Sequence, residues 1–382
     1  MPVSAGIPAR IALEDGWTAL GRSAGAVGTV GGECVFNTCL SGYQEVLTDP
    51  SYAGQIVVMT YPLIGNYGIV EGDGESSGPQ VAGYVMRECV RHPSNWQSTD
   101  TLPDWLARHD VVAIEGIDTR DLTLHLREHG ALRGVISTDT LDVAEAVARA
   151  GRILPMEGRN LTGEVTVSGA RIEGEGDLTV AALDFGLKQN IVRQLAGFGC
   201  RVVRLPATAS PEEILVLRPD GLFCSNGPGD PAAAATAIDT LRRLSREAPE
   251  LPTFGICLGH QLLALAHGGT TYKLKFGHHG GNHPVQDLRT GGIDITSHNH
   301  GFAVRESSVK GRRVVAGAPE LEVTHVNLYD GTVEGFRHAE RPLFAVQYHP
   351  EAAPGPHDAS HHFDDFVAAM QARRGRAPVS GA

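Results

Sequence analysis

The second half of the chain alternates between strand-like and helix-like patterns of hydrophobic positions. Short apolar runs, typical of buried strands, are separated by longer stretches in which apolar residues recur with helical spacing. The predicted strands are 178–185, 201–205, 221–225, 252–257 and 344–348, and the predicted helices are 188–196, 211–217, 231–246 and 258–267. This alternation predicts an α/β fold with a doubly wound, mostly parallel sheet, whose ligands bind at the carboxyl ends of the strands.

The first half is less regular and predicts a mixed α/β domain. Its strand candidates are 25–36, 54–59, 111–117 and 134–136. Asp118 can cap a helix that continues to Gly130, because an aspartate accepts from the first backbone N–H groups and a glycine ends a helix easily. The pattern leaves the order of these strands open.

A chain of 382 residues is long for one compact unit, so two domains are expected. Residues 151–177 are rich in Gly and Glu and have no long periodic apolar run, which is typical of a linker. The sequence therefore predicts an N-terminal domain over 1–150, a linker region over 151–177, and a C-terminal domain over 178–382.

Composition and charge narrow the classes of partner. The formal net charge of -12 leaves no surplus of basic residues to neutralise phosphates, which argues against nucleic acid or an anionic membrane as the main partner. The chain has no secretory pattern at its start and no apolar run of the roughly 18 residues that a membrane helix needs. The six cysteines show no C-x-x-C spacing, which predicts reduced thiols and a cytoplasmic protein.

The clearest chemical signal is the segment Gly-Ile-Cys-Leu-Gly at 255–259, where a predicted strand gives way to a predicted helix. It is the cysteine counterpart of the G-x-S-x-G nucleophile elbow. Glycines at 255 and 259 leave out side chains that would crowd such a tight bend. At the helix N-terminus, unpaired backbone N–H groups and the macrodipole favour a thiolate. We therefore predict that Cys257 is a nucleophile; the alternative is a buried structural cysteine.

The segment His349-Pro350-Glu351 supplies a candidate base and a candidate orienting carboxylate. Pro350 biases His349 towards an extended conformation, in which the side chains at 349 and 351 point the same way. Glu351 could then bind one imidazole nitrogen while the other faces Cys257. Alone, such a segment is typical of a surface turn. Its position at the end of the predicted strand 344–348 favours the catalytic interpretation.

The loop Ser-Asn-Gly-Pro-Gly-Asp-Pro at 225–231 follows another predicted strand. We predict that the backbone N–H of Gly229 helps to bind an oxyanion together with the N–H of Leu258; the alternative is an ordinary loop. The loop contains no lysine and no G-x-x-x-x-G-K-S pattern, so a nucleotide-phosphate site is not predicted.

Histidine is concentrated in the last third of the chain. Thirteen of the seventeen histidines lie at or after His260. A metal cluster is therefore a possible interpretation, but H-E-x-x-H spacing and a nearby cysteine pair are both missing from the sequence. We predict no metal site and expect these histidines to make polar contacts around the active site.

Three motifs together resemble those of the class I, or triad, glutamine amidotransferases: Cys-Leu-Gly-His-Gln at 257–261, the 226–231 loop, and His-Pro-Glu at 349–351. Within that class, segments 276–284 and 299–302 resemble the small chains of carbamoyl-phosphate synthase. Segments 36–38, 42–45, 48–52 and 61–66 of the first half resemble the domain that precedes the amidotransferase module in this family. The resemblance spans nearly the whole chain.

The resemblance implies a glutaminase that forms a cysteine thioester with L-glutamine and passes ammonia to a large carbamoyl-phosphate synthase subunit. It implies no cofactor on this chain; ATP and Mg are expected on the large subunit, which makes carbamoyl phosphate for arginine and pyrimidine biosynthesis. The implied catalytic residues are Cys257, His349 and Glu351. The implied glutamine contacts are Ser51, Gly227, Gly229, Leu258, Gln261, Asn299, Gly301 and Phe302.

Two other functions are compatible with such a fold. The first is a non-catalytic regulatory subunit, which is disfavoured because both Cys257 and His349 are present. The second is a different glutamine amidotransferase or a free-standing cysteine hydrolase, and the resemblance of the first half disfavours both.

Overall fold

The computed structural model describes residues 6–309 and 321–376. The chain divides into two compact units, Met1–Arg159 with Leu274–Gly280, and Asn160–Lys273 with Gly281–Ala382. Among the helices of the described residues, none is both long enough and apolar enough to cross a membrane.

The first unit is built around a closed barrel of strands. Its strands are β1 (Pro8–Leu13), β2 (Thr18–Ser23), β3 (Thr29–Asn37), β4 (Gln55–Met59), β5 (Leu63–Ile64), β6 (Ile69–Val70), β7 (Gly83–Val85), β8 (Glu88–Cys89), β9 (Ser98–Asp100), β10 (Ala113–Glu115) and β11 (Leu132–Ser137). Its helices are α1 (Tyr43–Thr48), α2 (Leu102–Arg108), α3 (Thr119–His129) and α4 (Val143–Ala150). The barrel order is β1-β11-β3-β4-β7-β10-β2, and the pairs from β3 to β10 are parallel.

Strand β4 shows why the first unit produces continuous apolar runs. Ile56 and Val58 pack into one hydrophobic cluster of the unit, whereas Val57 and Met59 pack into another. A strand that is buried on both faces has no polar side to present, so its sequence does not alternate. The predicted strand 54–59 is confirmed at this position.

The predicted helix of the first unit is also confirmed, with its cap. The Asp118 carboxylate accepts a hydrogen bond from the backbone N–H of Asp121, and α3 ends at Gly130. The predicted strands 25–36, 111–117 and 134–136 correspond to β3, β10 and β11. Strands β1, β2 and β7 were not predicted from the sequence. Their pairing across the barrel depends on distant residues that a local pattern does not reveal.

The second unit contains a ten-stranded sheet. Its strands are β12 (Arg171–Glu173), β13 (Leu178–Asp184), β14 (Cys200–Pro206), β15 (Gly221–Cys224), β16 (Thr253–Ile256), β17 (Thr271–Asp287), β18 (Ile293–Val304), β19 (Leu321–Asn327), β20 (Val333–His338) and β21 (Leu343–Val346), of which β17 runs through residues of both units. The helices are α5 (Thr162–Val165), α6 (Gln189–Gly197), α7 (Pro211–Leu215), α8 (Ala235–Glu247), α9 (Leu258–Ala266), α10 (Glu306–Val309) and α11 (His361–Arg376).

The centre of this sheet is parallel, in the order β14-β13-β15-β16-β21. Helices cover both of its faces: Ile191 of α6 and Phe366 of α11 pack in one hydrophobic cluster, and Leu241 of α8 and Leu262 of α9 pack in the other. The predicted doubly wound α/β fold is therefore confirmed. Because these strands are parallel neighbours, the carboxyl ends of β15, β16 and β21 lie side by side at the same end of the sheet.

The edges of the sheet differ from the prediction. Strands β19 and β20 pair antiparallel beside β21, and β12 pairs antiparallel with β14. The late strand ends at Val346, so two residues separate it from His349. The helix expected from Pro231 begins at Ala235, after a 3-10 turn over Pro231–Ala233. Proline fits the first position of that turn, because the backbone N–H that it lacks would have no hydrogen-bond partner within the turn.

Candidate active site

Cys257 occupies a strained turn between β16 and α9. Its backbone has φ 53° and ψ -103°, a region that a residue with a side chain rarely adopts. Its backbone N–H donates to Val346 O at 2.9 Å, which fixes the turn to β21, and the side chain is buried. This strand-to-helix geometry is that of a nucleophile elbow.

The two glycines of the elbow leave little room for a side chain. A Cβ atom on Gly259 would lie 2.1 Å from the carbonyl oxygen of Cys224, a backbone atom that cannot move aside. A Cβ atom on Gly255 would lie 2.6 Å from Leu263 Cδ1 and 3.0 Å from the carbonyl group of Gly259. The expectation that the bend needs glycine is confirmed by a backbone clash at 259, whereas the closest contact at 255 is the end of a leucine side chain.

His349 and Glu351 form a buried hydrogen-bonded pair just after β21. His349 Nδ1 lies 2.7 Å from Glu351 Oε1, and both side chains are almost fully inaccessible to solvent. The backbone N–H of His349 donates to Ser297 O at 2.8 Å, which attaches the turn to β18. Because a carboxylate only accepts, the proton of this hydrogen bond belongs to Nδ1.

The electrostatics of this pair favour its ionised form. Burial alone lowers the pKa of His349, but the charge of Glu351 and the interaction with the Cys257 thiol outweigh burial and raise the pKa to about 10. Burial alone raises the pKa of Glu351, but the charges of Lys188 and His349 outweigh it and lower the pKa to about 2. The site can therefore hold an imidazolium next to the sulfur atom.

Lys188 is a site residue that the sequence analysis missed. Its Nζ lies 3.0 Å from Glu351 Oε1 and donates to Ala352 O at 2.6 Å, and its side chain is 3% exposed. Nearby, Asn190 Nδ2 donates to Glu351 O at 2.6 Å. The available signal was position: Lys188 follows the carboxyl end of β13, where ligand sites of such sheets gather.

Five of the predicted glutamine contacts lie on α9, which begins just after Cys257, and on β18. Leu258 and Gln261 lie on α9, and Asn299, Gly301 and Phe302 lie on β18. Cys257 Sγ is 3.5 Å from Asn299 O. Gln261 Nε2 donates to Phe302 O at 2.8 Å, which ties α9 to β18.

The two glycines of the 225–231 loop lie at the carboxyl end of β15. A Cβ atom on Gly227 would lie 2.2 Å from Phe185 O and 2.9 Å from Leu258 Cδ2, so the loop backbone packs directly against the residue after the nucleophile. Gly229 has φ 96° and forms an isolated antiparallel bridge with Asn160. Glycine is therefore favoured at both positions, because there is no room for a Cβ atom at 227 and the φ angle is positive at 229.

Ser51 lies in the first unit, within a 3-10 turn over Pro50–Tyr52. Its backbone N–H donates to Asp49 Oδ1 at 2.9 Å, and the residue is 7% exposed. The other predicted contacts belong to the second unit, so the role of Ser51 in glutamine binding stays a prediction.

Potential metal ligands occur in both units. On the surface of the first unit, ligand atoms of Asp15, His125 and His129 lie within 4.8 Å of one another. Two of these residues already bind each other, since His125 Nε2 is 2.6 Å from Asp15 Oδ2. In the second unit, His298, His300 and Glu334 are similarly close and are buried. The expectation that no metal is bound stays a prediction.

The second unit has the fold and elbow of a glutamine amidotransferase. Residues 181–369 match the family model described as Glutamine amidotransferase class-I. Residues 11–136, in the first unit, match the model described as Carbamoyl-phosphate synthase small chain, CPSase domain.

Full-length relatives agree with both matches. The chain is 49% identical over 379 residues to a carbamoyl phosphate synthase small chain of Syntrophotalea carbinolica, with 95% of this chain and 98% of the relative covered. It is 52% identical over 367 residues to that of Chlorobaculum tepidum, with 96% and 98% covered. It is 49% identical over 398 residues to that of Synechocystis sp., with all of both chains covered. The chain therefore belongs to the carbamoyl phosphate synthase small chain family and is a glutamine-hydrolysing enzyme subunit.

Proposed function

We propose that this chain hydrolyses L-glutamine through a thioester on Cys257 and supplies the ammonia to a large synthetase subunit. The observation that carries the proposal is the strained elbow at Cys257 in the same unit as the buried pair of His349 and Glu351. A nucleophile, a base and an orienting carboxylate are the groups that acyl transfer needs.

In the first step, the thiolate of Cys257 attacks the side-chain amide carbon of glutamine while His349 already carries the proton. The raised pKa of His349 supports this imidazolium. A carbon–sulfur bond forms, and the carbonyl electrons move onto oxygen. His349 then protonates the amide nitrogen, the carbon–nitrogen bond breaks, and ammonia leaves.

The developing oxyanion needs hydrogen-bond donors that are already in place. Leu258 is the first residue of α9, and the first N–H groups of a helix have no partner within that helix. We assign the second donor to the N–H of Gly229 in the loop after β15. Gly227, Gln261, Asn299, Gly301 and Phe302 are proposed to shape the glutamine site, a role supported by the contacts that join α9, β18 and Cys257.

In the second step, water hydrolyses the glutamyl thioester. His349, now neutral, takes a proton from water, and the resulting hydroxide displaces the sulfur atom. Glutamate leaves and the thiolate is restored beside the imidazolium. Glu351 balances the charge of the His349 imidazolium, and Lys188 balances the charge of Glu351. Neither residue transfers a proton.

The large subunit is the proposed partner, because the relatives are named as small chains of carbamoyl phosphate synthase. On that subunit, ATP, Mg and bicarbonate would combine with the ammonia to give carbamoyl phosphate for arginine and pyrimidine biosynthesis. Cys34, Cys89, Cys200, Cys224 and Cys257 are free thiols, which fits the reducing cytoplasm that the proposal includes.

The domain limits form part of the proposal. We assign partner-specific functions to residues 1–150 and glutamine hydrolysis to residues 178–382, with 151–177 between them. Support comes from the family models, which match 11–136 and 181–369 and leave the region between them unmatched.

The test is Cys257→Ser in the complex with the large subunit. Synthesis from glutamine is expected to disappear, while synthesis from added ammonia continues, because the second chemistry belongs to the partner. Cys200→Ser is the matched control. Cys200 is also buried, but it lies at the amino end of β14, away from the carboxyl ends of the parallel strands. Loss of both activities in an intact complex would contradict the proposed division of labour.

A further inference from the structure

A row of hydrogen-bonding groups runs along β18 beside the proposed glutamine site. His300 Nδ1 lies 2.8 Å from Phe302 O, and His300 Nε2 lies 3.1 Å from His298 Nδ1. His298 Nε2 lies 2.8 Å from Thr296 Oγ1, which donates to His283 O at 2.8 Å. The side chains of 296, 298 and 300 share one face of the strand, as alternate residues do, and all three are buried.

The protons of this row can be counted. Both of its ends are carbonyl oxygens, which only accept hydrogen bonds. The four contacts therefore need four hydrogens. A neutral imidazole supplies one N–H and a threonine hydroxyl supplies one O–H, so Thr296, His298 and His300 supply three when they are neutral. The fourth contact requires one additional proton, which converts one imidazole into an imidazolium.

The position of that proton follows from the ends of the row. Thr296 gives its hydrogen to His283 O, so His298 Nε2 must donate to Thr296. His300 Nδ1 must donate to Phe302 O. The remaining hydrogen lies between His298 Nδ1 and His300 Nε2, and either ring becomes positively charged when it carries it.

Glu334 supplies the negative charge that such a buried cation needs. Its Oε2 lies 3.8 Å from His298 Nδ1, and neither side chain is exposed. Its Oε1 accepts a hydrogen bond from Asn327 Nδ2 at 3.1 Å. This donor favours the carboxylate form, and a buried charge is tolerated when it is paired and hydrogen-bonded.

Two rings of the second unit that pack on His298 supply no negative charge to balance the imidazolium. The centroid of the His283 ring is 4.5 Å and that of the Tyr348 ring 6.1 Å from the His298 ring. Burial raises the pKa of Tyr348 well above its usual value, so this phenol stays neutral. The counter-charge for the imidazolium is therefore the carboxylate of Glu334.

We propose that His298 and His300 share one additional proton, that Glu334 balances it, and that this ion pair positions β18 for glutamine binding. The row ends at Phe302 O, which also accepts from Gln261, and Asn299 O contacts Cys257 Sγ. His298 and Glu334 are thus positioning residues for the site. Their effect on glutamine rests on the proposed function, whereas the shared proton does not.

The first experiment measures the coupling between His298 and Glu334. Equilibrium urea unfolding of the full-length chain compares His298→Gln, Glu334→Gln and the double variant. Each single change leaves one buried charge unbalanced, whereas the double change leaves none. Each single change is expected to raise the equilibrium constant for unfolding by some factor. For the double variant, the increase is therefore expected to be at least about tenfold smaller than the product of those two factors. Additive effects would overturn the ion pair.

The matched control is the pair His357→Gln and Glu322→Gln, because both of these side chains are exposed in the same unit. Their effects are expected to be small and additive. A coupling of similar size in the control pair would remove the support from the first experiment.

The second experiment observes the proton directly. Nitrogen-15 NMR of histidine-labelled chain, with His298 and His300 assigned from single variants, is expected at neutral pH to show three protonated nitrogens shared by the two rings. Two neutral tautomers, with two protonated nitrogens in total, would overturn the proposal. Stoichiometric zinc in the purified chain would also overturn it, because a metal ion would occupy the position of the shared proton.

The kinetic experiment separates positioning from general destabilisation. In the complex with the large subunit, His298→Gln is expected to raise KM for glutamine about tenfold and to change kcat much less. The double variant is expected to regain most of the lost affinity. Equal loss of kcat in all variants with KM unchanged would overturn the positioning role. Absence of glutaminase activity in the wild-type complex would instead contradict the proposed function.

Discussion

The ammonium group of Lys188 lies 3.0 Å from the carboxylate of Glu351, and both side chains are buried. This contact makes the charge of the carboxylate tolerable at the centre of the site, where solvent cannot screen it. The orienting member of the pair with His349 therefore depends on a residue from another part of the chain.

Lys188→Met is expected to reduce glutaminase kcat/KM by at least about tenfold. Without the lysine charge, the pKa of Glu351 rises from about 2, so the carboxylate is lost at a higher pH. The acid limb of the pH profile of kcat/KM should therefore move to higher pH. Lys275→Met is the control because the Lys275 side chain is exposed. An unmoved acid limb would show that Lys188 does not act through Glu351.

Glu351→Gln is expected to cost less activity than His349→Asn. The carboxylate stabilises the imidazolium, whereas the imidazole itself carries the proton. In Glu351→Gln the pKa of His349 should fall from about 10, so its proton is lost at a lower pH. Glutaminase rates of both variants from pH 6 to 10, roughly the range over which histidine would titrate, provide the measurement. A larger loss from the glutamate change would mean that the two roles are reversed.

Gly259→Ala is expected to destabilise the second unit and to abolish glutamine hydrolysis. Its Cβ would lie 2.1 Å from Cys224 O, and backbone cannot move aside as a side chain can. The cost should be about 1–3 kcal/mol or more in urea unfolding. Gly197→Ala is the matched control, since nothing lies within 4 Å of its Cβ position. This control should be neutral or slightly stabilising.

His260→Phe tests the acid sensitivity of the fold. Burial lowers the pKa of His260 to about 3, whereas an unfolded histidine titrates near 6.5. As the pH falls from 6.5 towards 3, the unfolded chain binds a proton that the folded chain refuses. The wild type should therefore lose about 1.4 kcal/mol more per pH unit than the variant. Urea unfolding between roughly pH 4 and 5.5, near the middle of that window, measures the difference in slope.

The control for this measurement is His357→Phe, because the His357 side chain is exposed. Its slope should equal that of the wild type. Equal slopes for His260→Phe and the wild type would mean that His260 does not remain neutral in the folded protein.

Ser51→Ala tests whether the first unit contributes to glutamine binding. A neutral hydrogen bond contributes about 0.5–1.5 kcal/mol, so KM for glutamine should rise several-fold while kcat changes little. Ser41→Ala is the control because Ser41 is an exposed serine of the same unit. An unchanged KM would confine the glutamine site to residues of the second unit.

The sequence by itself determined the parallel part of the fold and the position of the nucleophile. A strand buried on both faces needs a continuous apolar run, and a tight strand-to-helix bend needs glycines, so β16, Cys257 and α9 could be located from local residues alone. The pairing of His349 with Glu351 could also be anticipated, because only Pro350 separates them. The structure brings them together in a turn, in which the backbone N–H of Ala352 donates to His349 O at 3.0 Å, and not in extended chain.

Only the tertiary structure decided the barrel and the charges behind the site. Strands β1 and β11 pair across more than a hundred residues, and no local pattern encodes such a partner. Lys188 looks like an ordinary helix-start residue until β13 and β21 bring it to Glu351. His298 and Glu334 likewise become a pair only through strand packing. Electrostatic effects depend on distance and burial in three dimensions, which is why the ion pairs of these residues could not be predicted from the sequence, where only the position of Lys188 after β13 was informative.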